Sequence, residues 1–501
     1  MQPVLLLGIL ATSVLLTLSF PRPDVGPLSL IALVPLLSSV SGLKSTKAFL
    51  AGWVAGFFWF FTCYNWVAHS ISNYGGIPFP LDRAIIVLLA GIHALYTGTF
   101  AALIPSLSRT KGWRFWLLIP SVWVLAEILR SWFPAPFPWL LLGSSLWRTA
   151  PLRLLYSVMG VYGASFYIVL FNVLVWKILT GRGTDRRPPV PVIAVLVLFP
   201  ILAFLTFPAD PSGSLKIGIV QGNFEQDLKW EEELKEDTVR LYLELTEEAV
   251  MQGAELVVWP ETAVPVFYQV EHKIAEILRD YVRGSDIHLV FGSPGFEIRD
   301  RQVILYNRAY HLAPDGNEEH YDKIRLVPFG EYVPFSELIP FVDHMVPGEG
   351  EFASGSWKGP FSSQVPSGLL ICYEVSIPSL GRREVRDGSG ILINITNDAW
   401  FGRSWGPYQH LAVAAVRAAE NGVPLIRAAN TGISAVIDRR GRITETVSLD
   451  VRGIIVTEIK TGGAGTIYTR WGDWIVIFAI IMITIHIYSN VVAWRLKNGA
   501  D

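Results

Sequence analysis

The chain has 501 residues, a length with room for two or three ordinary domains. Hydrophobic residues make up 51% and charged residues 17%, whereas about a quarter of the residues in a soluble domain are charged, so the composition favours a membrane protein. The net charge of −2 and the lack of a basic face interleaved with aromatic residues give no reason to expect nucleic acid as a partner.

Charged residues are distributed very unevenly along the chain. Residues 1–210 contain 19 of them, residues 211–470 contain 61, and residues 471–501 contain 4. This division predicts a membrane domain with seven helices, a globular domain outside the bilayer, and a last helix with its tail. The three predicted domains cover residues 1–207, 208–465 and 466–501.

Eight stretches of the sequence are apolar enough to cross a membrane. A transmembrane helix needs about 20 mostly apolar residues, and each stretch approaches that length. We therefore expect about eight transmembrane helices. Their predicted limits are 4–20, 25–41, 48–70, 84–107, 113–130, 152–176, 190–207 and 472–494.

The orientation of these spans follows from the basic residues in the short connections. Lys and Arg are retained preferentially on the cytoplasmic side, and the connections on one side contain most of them. With both termini inside, residues 208–465 lie on the extracytoplasmic face. The basic residues that set this orientation are Lys44, Lys47, Arg109, Lys111, Arg114, Arg182, Arg186, Arg187, Arg495 and Lys497.

Two charged residues and an aromatic loop stand out at membrane depth. Glu127 and Arg130 are three residues apart near the end of the fifth predicted span, so both lie on one helix face. Charges there are costly, and two interpretations stay open: an ion pair that orients the helix, or a lipid head-group site. The loop of residues 133–139, rich in proline and aromatic residues, suits an interfacial position.

From residue 214 the pattern changes to short β-type runs that alternate with helical ones. The turn Pro-Asp-Gly-Asn at 314–317 predicts a hairpin between two of the runs. Mixed strands and helices of this spacing predict a layered α/β architecture. The predicted strands are 215–220, 256–259, 287–291, 303–312, 319–324, 369–372, 390–395, 425–429 and 434–438, and the predicted helices are 230–251, 272–283 and 408–421.

Three polar side chains stand where predicted strands end, which is where α/β proteins usually assemble their sites. Glu261 follows a strand broken by Pro260, Lys323 ends the second arm of the hairpin, and Cys372 ends an apolar run. Taken singly, each has an ordinary alternative: capping for the glutamate, solvation for the lysine and core packing for the cysteine. Neither Cys372 nor Cys63 has the neighbours of a metal site, and we expect no disulfide between them.

The motifs around these side chains resemble those of the nitrilase superfamily. WPET at 259–262, YDKIRLVPFGEYVP at 321–334 and ICYEVSIP at 371–378 are similar, in order and spacing, to the glutamate, lysine and cysteine motifs of that superfamily. Together with the eight spans, they resemble the apolipoprotein N-acyltransferase family. The resemblance implies a four-layer αββα domain joined to a helical membrane domain in the bacterial inner membrane, with the αββα domain on the periplasmic side.

The resemblance also implies a reaction and the residues that perform it. A fatty acyl chain would pass from a phospholipid, through a thioester on Cys372, to the α-amino group of the N-terminal diacylglyceryl-cysteine of an apolipoprotein. Glu261 would act as the base and Lys323 would stabilise the oxyanion, without metal or cofactor. The expected supporting residues are Glu331, Tyr373 and Glu374, and the candidate substrate-binding residues are Trp230, Trp139 and Trp400.

Two other functions stay open. A membrane-tethered amidase or nitrilase-like hydrolase would use the same triad with water as the acceptor, but it would leave seven upstream spans unexplained, because one span suffices as an anchor. A non-catalytic lipid-binding protein would not need the intact triad. Glu420 is expected to be structural and to pair with Arg417 or Arg427. We expect a monomer, because the bilayer already keeps the apolar spans out of water.

Overall fold

The chain divides into two compact units in a computed structural model. A helical unit comprises residues 1–65, 83–207 and 470–501, and an α/β unit comprises residues 66–82 and 208–469. Trp230 and the basic residues Arg182, Arg186 and Arg187 lie outside the described residues, as does the side chain of Lys497. The structure describes residues 3–133, 136–181, 190–224, 235–328, 330–332, 352–463 and 465–498.

The helical unit contains apolar helices near all the predicted spans, but the expected number of eight is not confirmed. Among the residues that the structure describes, four helices are long and apolar enough to cross a membrane. Trp113–Arg130 has the length of a span but includes three charged residues. The four strong candidates are Ser45–Cys63, Leu81–Leu107, Leu152–Thr180 and Trp474–Leu496, and the shorter apolar helices are Pro3–Leu18, Gly26–Val40 and Val190–Thr206.

The third predicted span, residues 48–70, is too long at its C-terminal end. Its helix ends at Cys63, and a separate helix, Trp66–Asn73, belongs to the α/β unit. Polar groups of the second helix explain why the span ends early, because they form hydrogen bonds within the α/β unit. The Trp66 indole donates to Gln409 Oε1 at 3.1 Å, and Ser70 Oγ donates to the carbonyl of Trp400 at 2.6 Å.

Glu127 and Arg130 both bind the chain that follows their own helix. The buried guanidinium of Arg130 donates to the carbonyls of Trp139 at 2.7 Å and Leu140 at 3.2 Å. Glu127 accepts the backbone N–H of Leu142 at 2.6 Å. Of the two interpretations of these charges, the contacts therefore favour a structural role, in which buried polar groups satisfy one another.

The α/β unit contains eleven strands among its described residues, arranged in two sheets. The strands are β1 Gly213–Gln221, β2 Leu256–Val258, β3 His288–Arg299, β4 Gln302–Leu312, β5 Glu318–Asp322, β6 Ser367–Ile371, β7 Ile391–Thr396, β8 Leu425–Ala429, β9 Ser434–Ile437, β10 Ile443–Val447 and β11 Gly453–Thr461. The first sheet has the order β11-β1-β2-β3-β4-β5, and the second has the order β10-β9-β8-β7-β6. Strands β1, β2 and β3 are parallel neighbours, as are β6, β7 and β8.

Two apolar layers follow from the alternation of side chains along the strands. Val258 and Val290 face the second sheet and join a core that also includes Ile393. Their neighbours Val257 and Leu289 face the other way, into a core shared with two helices of the unit, Lys235–Met251 and His272–Ser285. Helices Pro378–Arg386 and Gly406–Asn421 lie with the second sheet. The unit is therefore the predicted αββα sandwich.

The predicted elements of this unit match most of the observed ones. β10, β11 and the helix Pro378–Arg386 were not predicted, and β3 was predicted much too short. β11 pairs with β1 over nine residues that lie more than 230 positions earlier in the chain, so its place depends on a distant partner. The predicted pairing of Glu420 is confirmed, since Glu420 Oε2 lies 2.8 Å from Arg417 Nη1.

One buried carboxyl of the fold is held in its neutral form. Glu384, on the helix Pro378–Arg386, is fully buried against Gly368 of β6. Burial, and then the neighbouring Glu374 carboxylate, raise the pKa of Glu384 to about 9. Because the folded chain holds this proton more tightly than the unfolded chain, the contribution of Glu384 to stability is complete below about pH 4.5 and is lost as the pH rises towards 9.

We therefore expect Glu384→Gln to flatten the dependence of stability on pH. A neutral amide has no proton to lose, whereas the native carboxyl costs up to about 1.4 kcal/mol of stability per pH unit in this window. Thermal unfolding of the full chain in detergent at pH 5, 7 and 9 measures the effect. The control is Glu248→Gln, at an exposed position, and parallel curves for Glu384→Gln and the native chain would contradict the prediction.

Candidate active site

Glu261 is positioned by the break that follows β2. Pro260 ends the strand, and Thr262, at φ +52°, turns the chain away in the left-handed region. The carboxylate is buried and accepts the side-chain amide of Asn307 at 2.7 Å and the backbone N–H of Asn397 at 2.9 Å. Both of its oxygens are therefore held by donors from other elements, which fixes the direction of the group.

The close approach of β3 to this turn requires a glycine. A Cβ on Gly292 would lie 2.4 Å from the backbone nitrogen of Thr262 and 2.7 Å from Cα of Glu261, distances that atoms do not adopt. Because Gly292 has no side chain, its backbone can approach the turn, and its N–H donates to the carbonyl of Pro260 at 3.1 Å. Gly292 thus lets β3 fix the chain around Glu261.

Lys323 follows β5 directly and is buried between two carboxylates. Its Nζ lies 2.8 Å from Oε1 of Glu331 and 3.6 Å from Oε1 of Glu261. Asn307 Nδ2 donates to both of these carboxylates, at 2.7 Å each, so the three side chains form one network around the ammonium. Burial alone would lower the pKa of Lys323, but Glu331 and Glu261 outweigh it and hold that pKa above its ordinary value. The lysine is therefore charged at neutral pH.

Cys372 stands at a sharp turn after β6. Its φ of +50° lies in the left-handed region, which is uncommon for a residue with a side chain. Burial raises the pKa of its thiol, the Glu261 carboxylate raises it further, and Lys323 acts in the opposite direction. The resting thiol is therefore protonated at neutral pH, and a base must remove its proton before it can act as a nucleophile.

Glu374 joins the lysine segment to the cysteine turn. This buried carboxylate accepts the backbone N–H of Ile371 at 2.8 Å on one side and those of Ile324 and Arg325 at 2.7 and 3.0 Å on the other. Tyr321 also donates to it at 3.0 Å. Burial raises the pKa of Glu374 to about 7, against the effect of these N–H donors. One side chain thus sets the position of Lys323 relative to Cys372.

Glu261, Lys323 and the supporting Glu331 thus form one buried network, and the buried Cys372 thiol interacts electrostatically with Glu261 and Lys323. The supporting Glu374 ties the chain after Lys323 to the residue before Cys372. Tyr373, the third supporting residue, follows Cys372 in the chain and is buried. Trp400 belongs to the same unit, three residues beyond Asn397, and stacks edge-on against Tyr74 at 4.6 Å between ring centroids. Trp139 lies in the helical unit, buried and stacked on Phe137 at 5.3 Å.

The bonds of two asparagines to Glu261 were not predicted from the sequence. Asn307 bonds Glu261 and Glu331 from the middle of β4, and the backbone of Asn397 bonds Glu261 from the turn after β7. An isolated Asn on a strand has no motif that distinguishes it. The signal available for Asn307 was its place on the strand beside the one that Lys323 follows.

The arrangement provides a nucleophile, a carboxylate coupled to it and a fixed cation. These are the parts needed for acyl transfer through a covalent intermediate: a thiol to attack a carbonyl, a base to accept its proton, and a positive charge to stabilise the oxyanion. No group of three or more His, Cys, Asp or Glu side chains suited to a metal ion occurs in the described part of the chain.

Family comparisons match both units of the chain. A family model described as carbon-nitrogen hydrolase matches residues 216–468, and one described as the apolipoprotein N-acyltransferase N-terminal domain matches residues 12–174. A protein named apolipoprotein N-acyltransferase from Geobacter metallireducens is 37% identical over 472 residues, which cover 92% of this chain and 90% of that protein. One of the same name from Methylococcus capsulatus is 32% identical, covering 90% of this chain and 88% of that protein.

Solved structures are similar to the α/β unit at low identity. The crystal structure of a carbon-nitrogen hydrolase from Helicobacter pylori G27 is 18% identical with a TM-score of 0.39, covering 49% of this chain and 89% of that chain. Saccharomyces cerevisiae Nit3, described as a member of branch 10 of the nitrilase superfamily, is 20% identical with a TM-score of 0.39, covering 50% and 91%.

The lysine network predicts an asymmetry between a single and a double substitution. Lys323→Met leaves the Glu261 and Glu331 carboxylates buried without their cation, and removing one partner from a buried ion pair costs about 3–5 kcal/mol. Adding Glu331→Gln removes one of the two stranded charges, so the double variant should recover part of that loss. Chemical denaturation of the full chain in detergent gives the free energies of unfolding.

The reaction of the Cys372 thiol with an ester should be slow in both variants, because neither restores a cation at this position. The matched control is Lys273→Met, which removes an exposed lysine paired with Glu236 and should leave stability nearly unchanged, because exposed ion pairs contribute little. A double variant no more stable than Lys323→Met alone would show that Glu331 does not act as the charge partner of the lysine.

Proposed function

The chain belongs to the apolipoprotein N-acyltransferase family, and from this membership we propose the substrates and the path of its reaction. The enzyme moves a fatty acyl chain from a membrane phospholipid to the α-amino group of the N-terminal diacylglyceryl-cysteine of an apolipoprotein. The acyl chain is carried in between as a thioester on Cys372, so the two substrates react in turn. Glu261, Lys323 and Cys372 perform the chemistry, with Glu331, Tyr373 and Glu374 supporting them.

One observation supports this proposal above the others. Lys323 is buried between Glu261 and Glu331, while the Cys372 thiol is electrostatically coupled to both Lys323 and Glu261. A charged lysine is costly to bury, and packing alone does not require one here. A fixed cation beside a thiol is instead what an oxyanion needs, since preorganised charge costs no reorganisation when the transition state forms.

In the first half-reaction the thiol attacks the ester carbonyl of the phospholipid. Glu261 takes the thiol proton as the sulfur–carbon bond forms, and the carbonyl π electrons move to oxygen as an oxyanion, which Lys323 stabilises. The tetrahedral intermediate collapses, the ester carbon–oxygen bond breaks, and the leaving alkoxide takes the proton from Glu261. The products are the acyl-enzyme and a lysophospholipid.

In the second half-reaction the acceptor amine attacks the thioester. The amine reacts in its neutral form, and Glu261 takes a proton from its nitrogen as the carbon–nitrogen bond forms. Lys323 again stabilises the oxyanion, and the carbon–sulfur bond breaks. The proton then passes from Glu261 to the departing sulfur, which restores the thiol and the carboxylate and leaves an amide on the acceptor.

The hydrolase alternative differs only in the acceptor. Water attacking the same thioester would release a free fatty acid, so transfer requires that the acyl-enzyme be kept away from water. Cys372, Glu261 and Lys323 are all nearly inaccessible to solvent, which favours transfer. We propose that all three candidate substrate-binding tryptophans, Trp230, Trp139 and Trp400, contact lipid.

We further propose the cellular setting. The enzyme is a multi-pass protein of the bacterial inner membrane, and it acts as a monomer. Its α/β unit faces the periplasm, because the predicted cytoplasmic connections hold most of the basic residues of the short loops. Its partners are the phospholipid donor, the apolipoprotein acceptor and the surrounding membrane lipids.

The thioester should be detectable directly when the acceptor is withheld. The purified full chain is incubated in detergent with phospholipid that has a labelled acyl chain, and mass spectrometry should find that chain on Cys372, released by hydroxylamine. Cys372→Ala should acquire no label. Cys63→Ala is the matched control, since Cys63 lies in the helical unit, and it should be labelled as the native chain is.

Each other outcome has a defined meaning. A native chain that never acquires an acyl group on Cys372 would exclude the thioester path. Prompt release of free fatty acid in the absence of acceptor would favour the hydrolase instead. Full transfer activity in Cys372→Ala would show that the nucleophile is assigned to the wrong residue.

Glu261→Gln tests the base separately from the nucleophile. Because burial raises the pKa of the thiol, a chain without this carboxylate should lose about 10²–10⁴-fold in the rate of Cys372 acylation at pH 7. The loss should shrink as the pH rises, since hydroxide then replaces the missing base. Glu276→Gln, at an exposed position, is the control, and a loss for Glu261→Gln that is the same at every pH would contradict the assignment.

A further inference from the structure

The carbonyl oxygen of Cys372 is bonded by two buried side chains outside the triad. His410 Nε2 lies 3.2 Å from it, and Asn394 Nδ2 lies 3.4 Å from it. Both side chains are completely buried and come from different elements, the helix Gly406–Asn421 and β7. The carbonyl of the nucleophile is therefore held from two directions.

Both donors are oriented by one arginine. Arg427, on β8, donates Nη1 to Oδ1 of Asn394, and its Nη2 lies 3.0 Å from Nδ1 of His410. The same Nη2 donates to Oδ2 of Asp398 at 2.6 Å, and Oδ1 of Asp398 lies 3.0 Å from His410 Nδ1. The Arg427 and Asp398 charges neutralise each other in the interior, as buried charges must, and together they set the rotation of the His410 ring.

The direction of the hydrogen bonds fixes where the His410 proton lies. A carbonyl oxygen only accepts, so His410 Nε2 must bear a hydrogen to bond Cys372. Burial, and then the charge of Arg427, lower the pKa of His410, whereas Asp398 acts in the opposite direction. Nδ1 lies 3.0 Å from Oδ1 of Asp398 and 3.0 Å from Nη2 of Arg427, so this end of the ring has a partner whether or not Nδ1 bears a hydrogen.

The bonds to the Cys372 carbonyl also fix the N–H of the same peptide, which belongs to Tyr373 and can donate a hydrogen bond. The Cys372–Tyr373 bond is trans, so the Tyr373 N–H points opposite to the Cys372 carbonyl. His410 and Asn394 hold the carbonyl on one side, and the N–H is therefore held on the other. The same bonds help to hold Cys372 in its left-handed backbone conformation, which a cysteine disfavours.

We propose that His410, oriented by Arg427 and Asp398, is a positioning residue that turns the Tyr373 N–H towards the oxyanion formed on Cys372. This inference rests on the proposed acyl transfer only in that an acyl group reaches the thiol. His410 bonds the carbonyl of Cys372, so its proposed action on the reaction is indirect. It acts by keeping one peptide plane in place, so that the N–H and Lys323 stabilise the oxyanion together.

Two substitutions separate the contacts of the two ring nitrogens. His410→Gln has an amide nitrogen at about the distance of Nε2, and it can still donate to the Cys372 carbonyl. His410→Asn is shorter, so its amide can meet Asp398 and Arg427 but cannot reach the carbonyl. His311→Asn is the matched control: His311 is equally buried in the α/β unit and contacts His288 and Glu319.

The decisive measurement compares two reactions of the same thiol in the full chain in detergent. Acylation of Cys372 by labelled phospholipid, or by p-nitrophenyl acetate, develops an oxyanion, whereas alkylation by iodoacetamide does not. His410→Asn should slow acylation about 100-fold, the lower end of the loss on removing an oxyanion donor, and should change alkylation less than about threefold. His410→Gln should recover most of the acylation rate, and His311→Asn should leave both rates unchanged.

The alternative outcomes are distinct. If His410→Asn slows alkylation and acylation equally, the residue acts on the fold or on the thiol, and the proposal is wrong. If His410→Asn and His410→Gln are equally slow, or both are unimpaired, the bond to the carbonyl has no role. A native chain that reacts with p-nitrophenyl acetate but never with phospholipid would overturn the proposed function, while the His410 comparison would still be decided by the ester.

Discussion

The site depends on the buried ammonium of Lys323. A charge in the interior is stable only when partners surround it, and here Glu331 and Glu261 supply them at 2.8 and 3.6 Å. Asn307 holds both carboxylates, so the cation, the base and the supporting acid are positioned by the same network. Burial, and then the Glu261 carboxylate, raise the pKa of the Cys372 thiol, so the thiol stays protonated until a base removes its proton.

Two further buried charges fix the turn that presents the thiol. Glu374 joins the residue before Cys372 to the two residues after Lys323, and it sets the distance between nucleophile and cation. Arg427 reaches the other side of the turn through His410 and Asn394. The left-handed backbone at Cys372 is thus held from both sides. In the interior, Glu374 and Arg427 supply the fixed acceptors and donors that hold this turn.

The helical unit illustrates what a hydropathy pattern can and cannot decide. Apolar helices occur near every predicted span, since runs of apolar residues are a local property. Their predicted number as membrane spans is not confirmed, because several are short and Trp113–Arg130 includes three charged residues. Residues 66–82 were misassigned in part for a different reason: their Trp66 and Ser70 side chains bond residues more than 300 positions later in the chain.

The sequence alone determined the division into an apolar helical part and a globular part with a layered α/β architecture, because both follow from residues that are near one another in the chain. The αββα arrangement and the roles of the three polar side chains were predicted from the resemblance of their motifs to a known family. A strand that ends in a polar turn predicts where Glu261, Lys323 and Cys372 stand. Only the tertiary structure decided that Asn307 and Asn397 hold Glu261, and that His410 bonds the carbonyl of Cys372. Those contacts join residues 38 to 136 positions apart, and at such separations no local pattern indicates which polar groups will meet.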